Sequence, residues 1–571
     1  MTARRTALVM LLGIALLVLV GSALVALAVR SGPALRPGSI LTVTLGGDLP
    51  EEVPSSLVGR FLSGEKRTFG DLVDLFQQAA HDDRVEAIVA RVAPSDLGWA
   101  RLQELRDAMR EFTEAGKILA CHAEAVDTPE YYLASACGML AMPPSGVFSV
   151  PGVAVQVEFF KGTLSRLGVE ADIEHVGAYK SASEPLTREG LSGPAREQLE
   201  SMLDAVYATL TDDVAQDRDV EPGALKAMLD RGLLTPGQAE KAGLVDELAY
   251  YDEVLDDVRA HVGERGEEVE EADYLEHVRA RRRAGRERIA IIYASGVITG
   301  GESEDNALVG PILGSESLIE SMKEARESRS VKAVVLRIDS PGGSGPAADA
   351  IWRETQRLRE KKPVVVSMGD VAASGGYWIA AGADSIVSEP LTLTGSIGVV
   401  GGKLYLKPFY DWIGVSKEIL KRGRNADLYA DYSRFTDEQR RMVRGSMLAL
   451  YREFLARASE GRAKSEEEID RLGQGRVWTG EQALENGLVD ELGGLATAVA
   501  RARVLAKIPA GRPAGIDIYP RAKGLLETLA SLQSTLAPSP RAAAAPLPIR
   551  LPERLLRERV LALMPFRLSP R

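Results

Sequence analysis

Ser374 lies in the run GDVAASGGYW (369–378), between small residues and at the head of an apolar helical stretch. Small neighbours expose a hydroxyl, and a helix N-terminus favours an anion formed beside it, so the setting suits a nucleophile. A capping serine in a close-packed turn has the same local sequence. A second run, DSPGGSG (339–345), ends a β-rich segment with adjacent glycines. Paired glycines let backbone N–H groups point into a cleft, as an oxyanion hole or anion nest requires, although an ordinary strand-to-helix turn also uses them. Taken together, Ser374 as nucleophile with amides from Gly342, Gly343 and Gly375 would serve acyl transfer.

Such a serine needs a base, and the five histidines, His81, His122, His175, His261 and His277, all precede the half of the chain that carries it. Lys180, in VGAYKSASEP (176–185), is the alternative. A lysine acts as general base only if its pKa falls by about 3 units toward neutrality, a differential of roughly 4 kcal/mol that burial among apolar groups can supply. Val176, Ala178 and Tyr179 fit such surroundings, and Ser181 or Ser183 is a candidate to orient the amine. His175, five residues away, stays open as a conventional partner. No HExxH motif or close Cys/His cluster points to a metal, and Gly398 to Lys403 lacks P-loop spacing, so no metal or other cofactor is expected.

The elements that must position these residues are written twice. A shift of 246 residues sets VEAIVAR (85–91) on VKAVVLR (331–337), and Pro144, Gly152, Gly168 and Gly177 on Pro390, Gly398, Gly414 and Gly423. After a two-residue change of offset, LLTPGQA (233–239) and its GLVDEL (243–248) match VWTGEQA (477–483) and GLVDEL (487–492). A period this long makes each copy a domain-sized unit rather than a solenoid repeat. The copies diverge where the chemistry would be. Thr128 stands for Ser374, Ala426 for Lys180, and APSDLG (93–98) for the glycine-rich turn, so each copy keeps one candidate. Continuous Val/Ile runs alternating with amphipathic helices predict an α/β fold with substantially parallel sheets. The charged stretch 264–288 reads as a solvated helical connector between a lysine-bearing copy (38–263) and a serine-bearing copy (289–508).

The chain has 571 residues, 81 acidic against 69 basic, with 5% aromatics. That balance lacks the basic footprint and stacking surface of nucleic-acid binding. Residues 7–29 form an uncharged apolar run of 23, about 34 Å as a helix, which predicts a membrane-spanning anchor, with a cleaved signal as the competing reading. Arginines on both sides leave its orientation undecided. The end, 509–571, is arginine- and leucine-rich and reads as an amphipathic surface helix or a partly disordered tail. Only two cysteines occur, Cys121 and Cys137, which permits one bridge.

With DSPGGS, GDVAASGGYW, TGSIGVVG (394–401) and the upstream VGAYKSASEP, the chain resembles the long, tandem-repeat form of the signal peptide peptidase A (protease IV) family of membrane-anchored bacterial serine peptidases. The resemblance spans about residues 38–505. It implies two Clp protease/crotonase-like repeats after a transmembrane helix, and a Ser374–Lys180 dyad assembled across repeats, within or between chains. It further implies hydrolysis of signal-peptide remnants on the periplasmic side of the inner membrane, and a homotetramer. A crotonase-like acyl-CoA enzyme and an inactive peptide-binding scaffold are the competing classes.

Overall fold

In the computed structural model, residues 35–52, 67–263, 266–283, 285–306, 310–509, 511–520 and 560–563 are described. The expected anchor at 7–29 and most of the tail lie outside them. Among the described residues no helix is long and apolar enough to cross a membrane.

Each copy builds a sheet in the same spatial order. In the first, the order is Glu268–Glu270, Ser39–Gly47, Val85–Ser95, Ile118–Ala123, Met139–Met142, Glu247–Leu248, all parallel. The second runs Ala514–Tyr519, Glu287–Ser295, Val331–Ser340, Val364–Ala373, Ser385–Ser388, Glu491–Leu492, again parallel. Central strands of this kind are covered on both faces, which is why VKAVVLRIDS is apolar almost throughout rather than alternating. The mixed α/β reading holds for both copies.

Both sheets take an edge strand from beyond the repeat limits read in the sequence. The charged stretch 264–288 contributes Glu268–Glu270 and then the helix Glu271–Arg282. This helix is not freely solvated. It buries Tyr274, Leu275 and Val278, while Arg279 and Arg282 pair with Asp71. Likewise Ala514–Tyr519, in the region assigned to the tail, pairs with Glu287–Ser295. Cys121 and Cys137 form a disulfide across 16 residues, tying the strand Ile118–Ala123 to the turn after the helix Thr128–Ala134.

Buried ion pairs lock the copies together. Arg337, 1% exposed, donates to Glu51 and Glu104, and Arg101 pairs with Asp370, four residues before Ser374. A guanidinium this deep stays compatible with folding only while its carboxylates remain, so removing one partner costs about 3–5 kcal/mol. A further sheet crosses between the copies. Its order is Glu304–Asn306, Gly310–Gly314, Val297–Thr299, Gly342–Ser344, Val560–Leu563, Val399–Tyr405, Glu170–Val176. The last pair is antiparallel and brings the first copy's strand against the second copy's.

Candidate active site

Ser374 occupies the sharp turn between the strand Val364–Ala373 and the helix Gly375–Ala380, at φ 54° and ψ −113°. A positive φ at a non-glycine residue costs energy, and here the surroundings enforce it. Ser374 N–H donates to Gly395 O at 2.8 Å, and its carbonyl accepts from Trp378 N–H at 2.9 Å. Gly375 and Gly376 permit the turn to press on the glycine-rich loop. A Cβ on Gly375 would lie 3.2 Å from Gly342 Cα and Gly343 N, and one on Gly376 would lie 2.8 Å from Ser340 O. Gly343, at φ 156°, leaves no room for a Cβ against the Ile298 backbone. Thus Gly342, Gly343 and Gly375 converge beside Ser374. The Gly342 N–H already donates to Ser340 Oγ at 3.2 Å, while the Gly375 N–H opens its helix and has no intrahelical partner.

Lys180 follows the strand Glu170–Val176 and a turn at Gly177, φ 110°, whose missing Cβ admits the backbone of Gln474. Tyr179 N–H donates to Gln474 O at 2.8 Å, which pins the loop onto the second copy. The lysine then runs inward. Its Nζ lies 2.8 Å from Ser374 Oγ, 2.9 Å from Ser396 O and 3.0 Å from Ser396 Oγ. Lys180 is 1% exposed and Ser374 is fully buried. Burial alone holds the amine well below the usual lysine pKa, with no carboxylate to offset it. A neutral amine has two N–H donors and one lone pair. Ser396 supplies two acceptors, leaving the lone pair to receive the Ser374 hydroxyl proton.

The structure separates the remaining sequence candidates. Ser181 and Ser183 are buried but are not among the amine's hydrogen-bond partners, and Ser181 Oγ instead accepts from Gln198 Nε2 at 3.0 Å. His175 is exposed, with Nδ1 3.1 Å from Gly177 O, and the nitrogen beside Ser374 Oγ is that of Lys180. Two residues escaped the sequence reading. Ser396 holds the amine from a left-handed backbone, φ 52°, and the signal for it was another divergence between copies, since the 246-residue shift sets it against Val150. Gln198 bridges the copies: Nε2 donates to Tyr179 O at 3.2 Å, and Oε1 accepts from Val477 N–H at 3.2 Å. At the equivalent of the nucleophile in the first copy, Thr128 Oγ1 donates to Gly152 O at 2.8 Å, a closed structural bond.

Among the described residues no cluster of His, Cys, Asp and Glu could hold a metal ion. The arrangement is a hydroxyl, a buried amine whose pKa burial lowers, and convergent backbone amides, which can transfer an acyl group.

The model of peptidase family S49 matches the chain twice, at residues 111–265 and 356–509, one match in each copy. The chain is 35% identical over 482 residues to the chloroplastic serine protease SPPA of Arabidopsis thaliana, covering 83% of this chain and 70% of that protein. It is 32% identical to Protease 4 of Salmonella typhi, covering 78% and 73%, and 31% identical to Protease 4 of Haemophilus influenzae (strain ATCC 51907 / DSM 11121 / KW20 / Rd), covering 80% and 75%. Two family matches on a duplicated fold, with long alignments to proteases, leave one conclusion: the chain belongs to peptidase family S49, in its tandem SppA/Protease 4 form, and is a serine peptidase.

Proposed function

We propose that the chain hydrolyses peptides through a Ser374–Lys180 dyad and an acyl-enzyme. The carrying observation is the 2.8 Å approach of an unpaired, buried amine to Ser374 Oγ. Neutral Lys180 takes the hydroxyl proton as Oγ attacks the peptide carbonyl. The resulting oxyanion is held by N–H groups of Gly343 and Gly375, with Gly342 shaping the loop. The ammonium, steadied by Ser396 O and Oγ, then protonates the leaving amine. Water enters, gives its proton to Lys180 and releases the acid. The parallel strand order common to both copies also supports the Clp protease/crotonase-like reading of each repeat.

Hydrophobic peptides, signal-peptide remnants above all, are the proposed substrates, reached from a membrane anchor at 7–29. The Cys121–Cys137 disulfide supports an oxidising location such as the periplasmic side, because cytosolic thiols stay reduced. Self-assembly into a homotetramer is supported by the duplication. Within the chain Val399–Tyr405 pairs with Glu170–Val176, yet their shifted counterparts, 153–159 and 416–422, belong to no sheet among the described residues. Gly414 and Gly423 match Gly168 and Gly177, which have backbone packed against them, but face open space. Head-to-tail addition of like chains would fill both.

Labelling with a fluorophosphonate tests the reading. The label should map to Ser374, and Lys180→Ala should abolish labelling and turnover, whereas His175→Ala should keep both. Retained turnover in Lys180→Ala refutes the dyad.

A further inference from the structure

At the junction of the copies lies a cavity of about 490 Å³, within the size range of small-molecule sites. The first copy walls it with the helices Phe69–Ala80 and Trp99–Glu114, the second with the helix Leu495–Leu505 and with Glu389, which follows the strand Ser385–Ser388. Glu389 is 1% exposed, and its Oε1 has no hydrogen-bond partner among the described residues. Its neighbour Glu104 is satisfied, accepting from Arg337 Nη2 at 2.8 Å and from Leu495 N–H at 2.6 Å. Arg337 is shared with Glu51, so that guanidinium already answers two carboxylates and Glu389 is left without a counter-charge. Burial holds the Glu389 carboxyl well above the usual carboxylate range, with Glu104 and Asp107 pushing the same way against the pull of Arg337. A buried acid with an unpaired oxygen is costly to keep, and the 246-residue shift sets Glu389 against Pro143 and Glu104 against Ala350, so neither carboxyl is shared between the copies.

We propose that this cavity binds an aliphatic diamine, one ammonium lodged against Glu389 and Glu104 at its floor and the other at the rim beside Asp107 and Glu111, so that the ligand bridges the two copies. Glu104, Asp107 and Glu111 fall one turn apart or nearly so on one face of a single helix, and they run from a buried position to exposed ones. The rim charges have only distant partners, Asp107 with Arg110 at 3.9 Å and Glu111 with His81 at 3.7 Å. Val73 and Ala108 add apolar wall against which an alkyl chain can lie. Among the described residues no group of acidic or histidine side chains is arranged to hold a metal ion. Carboxylates spread between floor and rim instead match a cation that carries its charge at two ends and has N–H donors for Glu389 Oε1.

Titration calorimetry of the full chain with putrescine tests the site, and putrescine should also raise Tm, because it binds only where both copies are folded together. Butylamine, with a single ammonium, should bind about 2- to 5-fold more weakly, the worth of one exposed ion pair. Glu389→Gln keeps the side chain's size and should weaken putrescine at least about 30-fold, as loss of a buried charge partner does. Its own Tm should be no lower than that of wild type, since it removes a buried acid that has no counter-charge. Asp107→Asn, at an exposed position, should weaken putrescine about 2- to 5-fold and leave butylamine unaffected, and it tests the site even if Glu389→Gln fails to fold. The entering ammonium displaces the Glu389 proton to solvent, so Kd should fall about tenfold for each pH unit gained between about pH 6 and pH 7. A His81→Gln background keeps the rim imidazole from titrating in that range, and adding Glu389→Gln to it should flatten the dependence. Neither heat nor a Tm rise with millimolar putrescine, a Kd unmoved by Glu389→Gln, or a Kd flat in pH overturns the proposal. Equal affinity for putrescine and butylamine overturns a two-ended ligand. Binding is read without turnover, so these outcomes stand apart from the fate of the Ser374–Lys180 dyad.

Discussion

Gly475→Ala should disable an enzyme whose glycine touches neither substrate nor nucleophile. Gly475 has φ 78°, and a Cβ there would lie 2.6 Å from Lys180 Cβ and N and 2.7 Å from Lys180 Cα. Ordinary carbon contacts begin near 3.5 Å, so the lysine backbone must retreat by roughly 0.8–1 Å. The Nζ that now lies 2.8 Å from Ser374 Oγ cannot follow without losing Ser396 or the serine. A misplacement of about 1 Å in a catalytic group costs on the order of 100-fold. The left-handed φ adds a separate stability penalty of about 1–2 kcal/mol for alanine. Gly116→Ala isolates that second effect, since Gly116 has φ 83° and nothing within 4 Å of its absent Cβ. The assay is kcat/KM on a fluorogenic peptide, alongside Tm for both variants. Gly475→Ala should lose about 100-fold in kcat/KM at a Tm close to that of Gly116→Ala, which should keep most of its activity. Equal activity in the two variants would refute the claim that the second copy's loop sets the lysine's position.

Other consequences can be checked with the same preparations. Ser396→Ala removes one of two acceptors on the Lys180 amine but keeps the carbonyl, so kcat should fall about 2- to 13-fold, the worth of one hydrogen bond, with KM nearly unchanged. Burial lowers the folded-state pKa of Lys180 below its unfolded value, so between those two values the unfolded chain carries a proton that the native one lacks, and stability rises with pH. Lys180→Met abolishes that dependence: its Tm relative to wild type should be most favourable near pH 7 and decline toward pH 10, and a difference that stays flat would contradict a neutral buried amine.

Ser374 and Lys180 were legible because duplication supplies an internal control: each faces a chemically inert partner, Thr128 or Ala426, at the same shift. The parallel sheets were legible for a different reason, since strands covered on both faces cannot tolerate the polar residues of an alternating pattern. The same comparison would have exposed Ser396 against Val150, but its role rests on a backbone carbonyl and a left-handed φ, which side-chain chemistry does not announce. Gln198 was hidden by its place inside the long helix Gly193–Asp217, where a glutamine normally signifies solvent. Glu268–Glu270 was obscured by charge: only Val269 of that strand is buried, and an edge strand with a single apolar residue has no periodicity to detect. The strand Val560–Leu563 has none either, because its pairing is with two edges far away in sequence.

With the proposed dyad split between copies, the base would itself be a product of assembly. The groups that dehydrate Lys180 belong largely to the second copy: the loop at Gln474 and Gly475 covers its backbone, and Ser396 takes its amine. Removed from them, the side chain would be hydrated, and a hydrated lysine is charged at neutral pH and cannot accept a proton. The ion pairs Arg337 with Glu51 and Glu104, and Arg101 with Asp370, fix how the copies meet and so set the distance between the dyad's members. The nucleophile's turn would form within the second copy alone, but it would have no partner to deprotonate it. On the proposed dyad, peptide hydrolysis would begin only when both copies have folded against each other, because until then the serine would face no neutral amine.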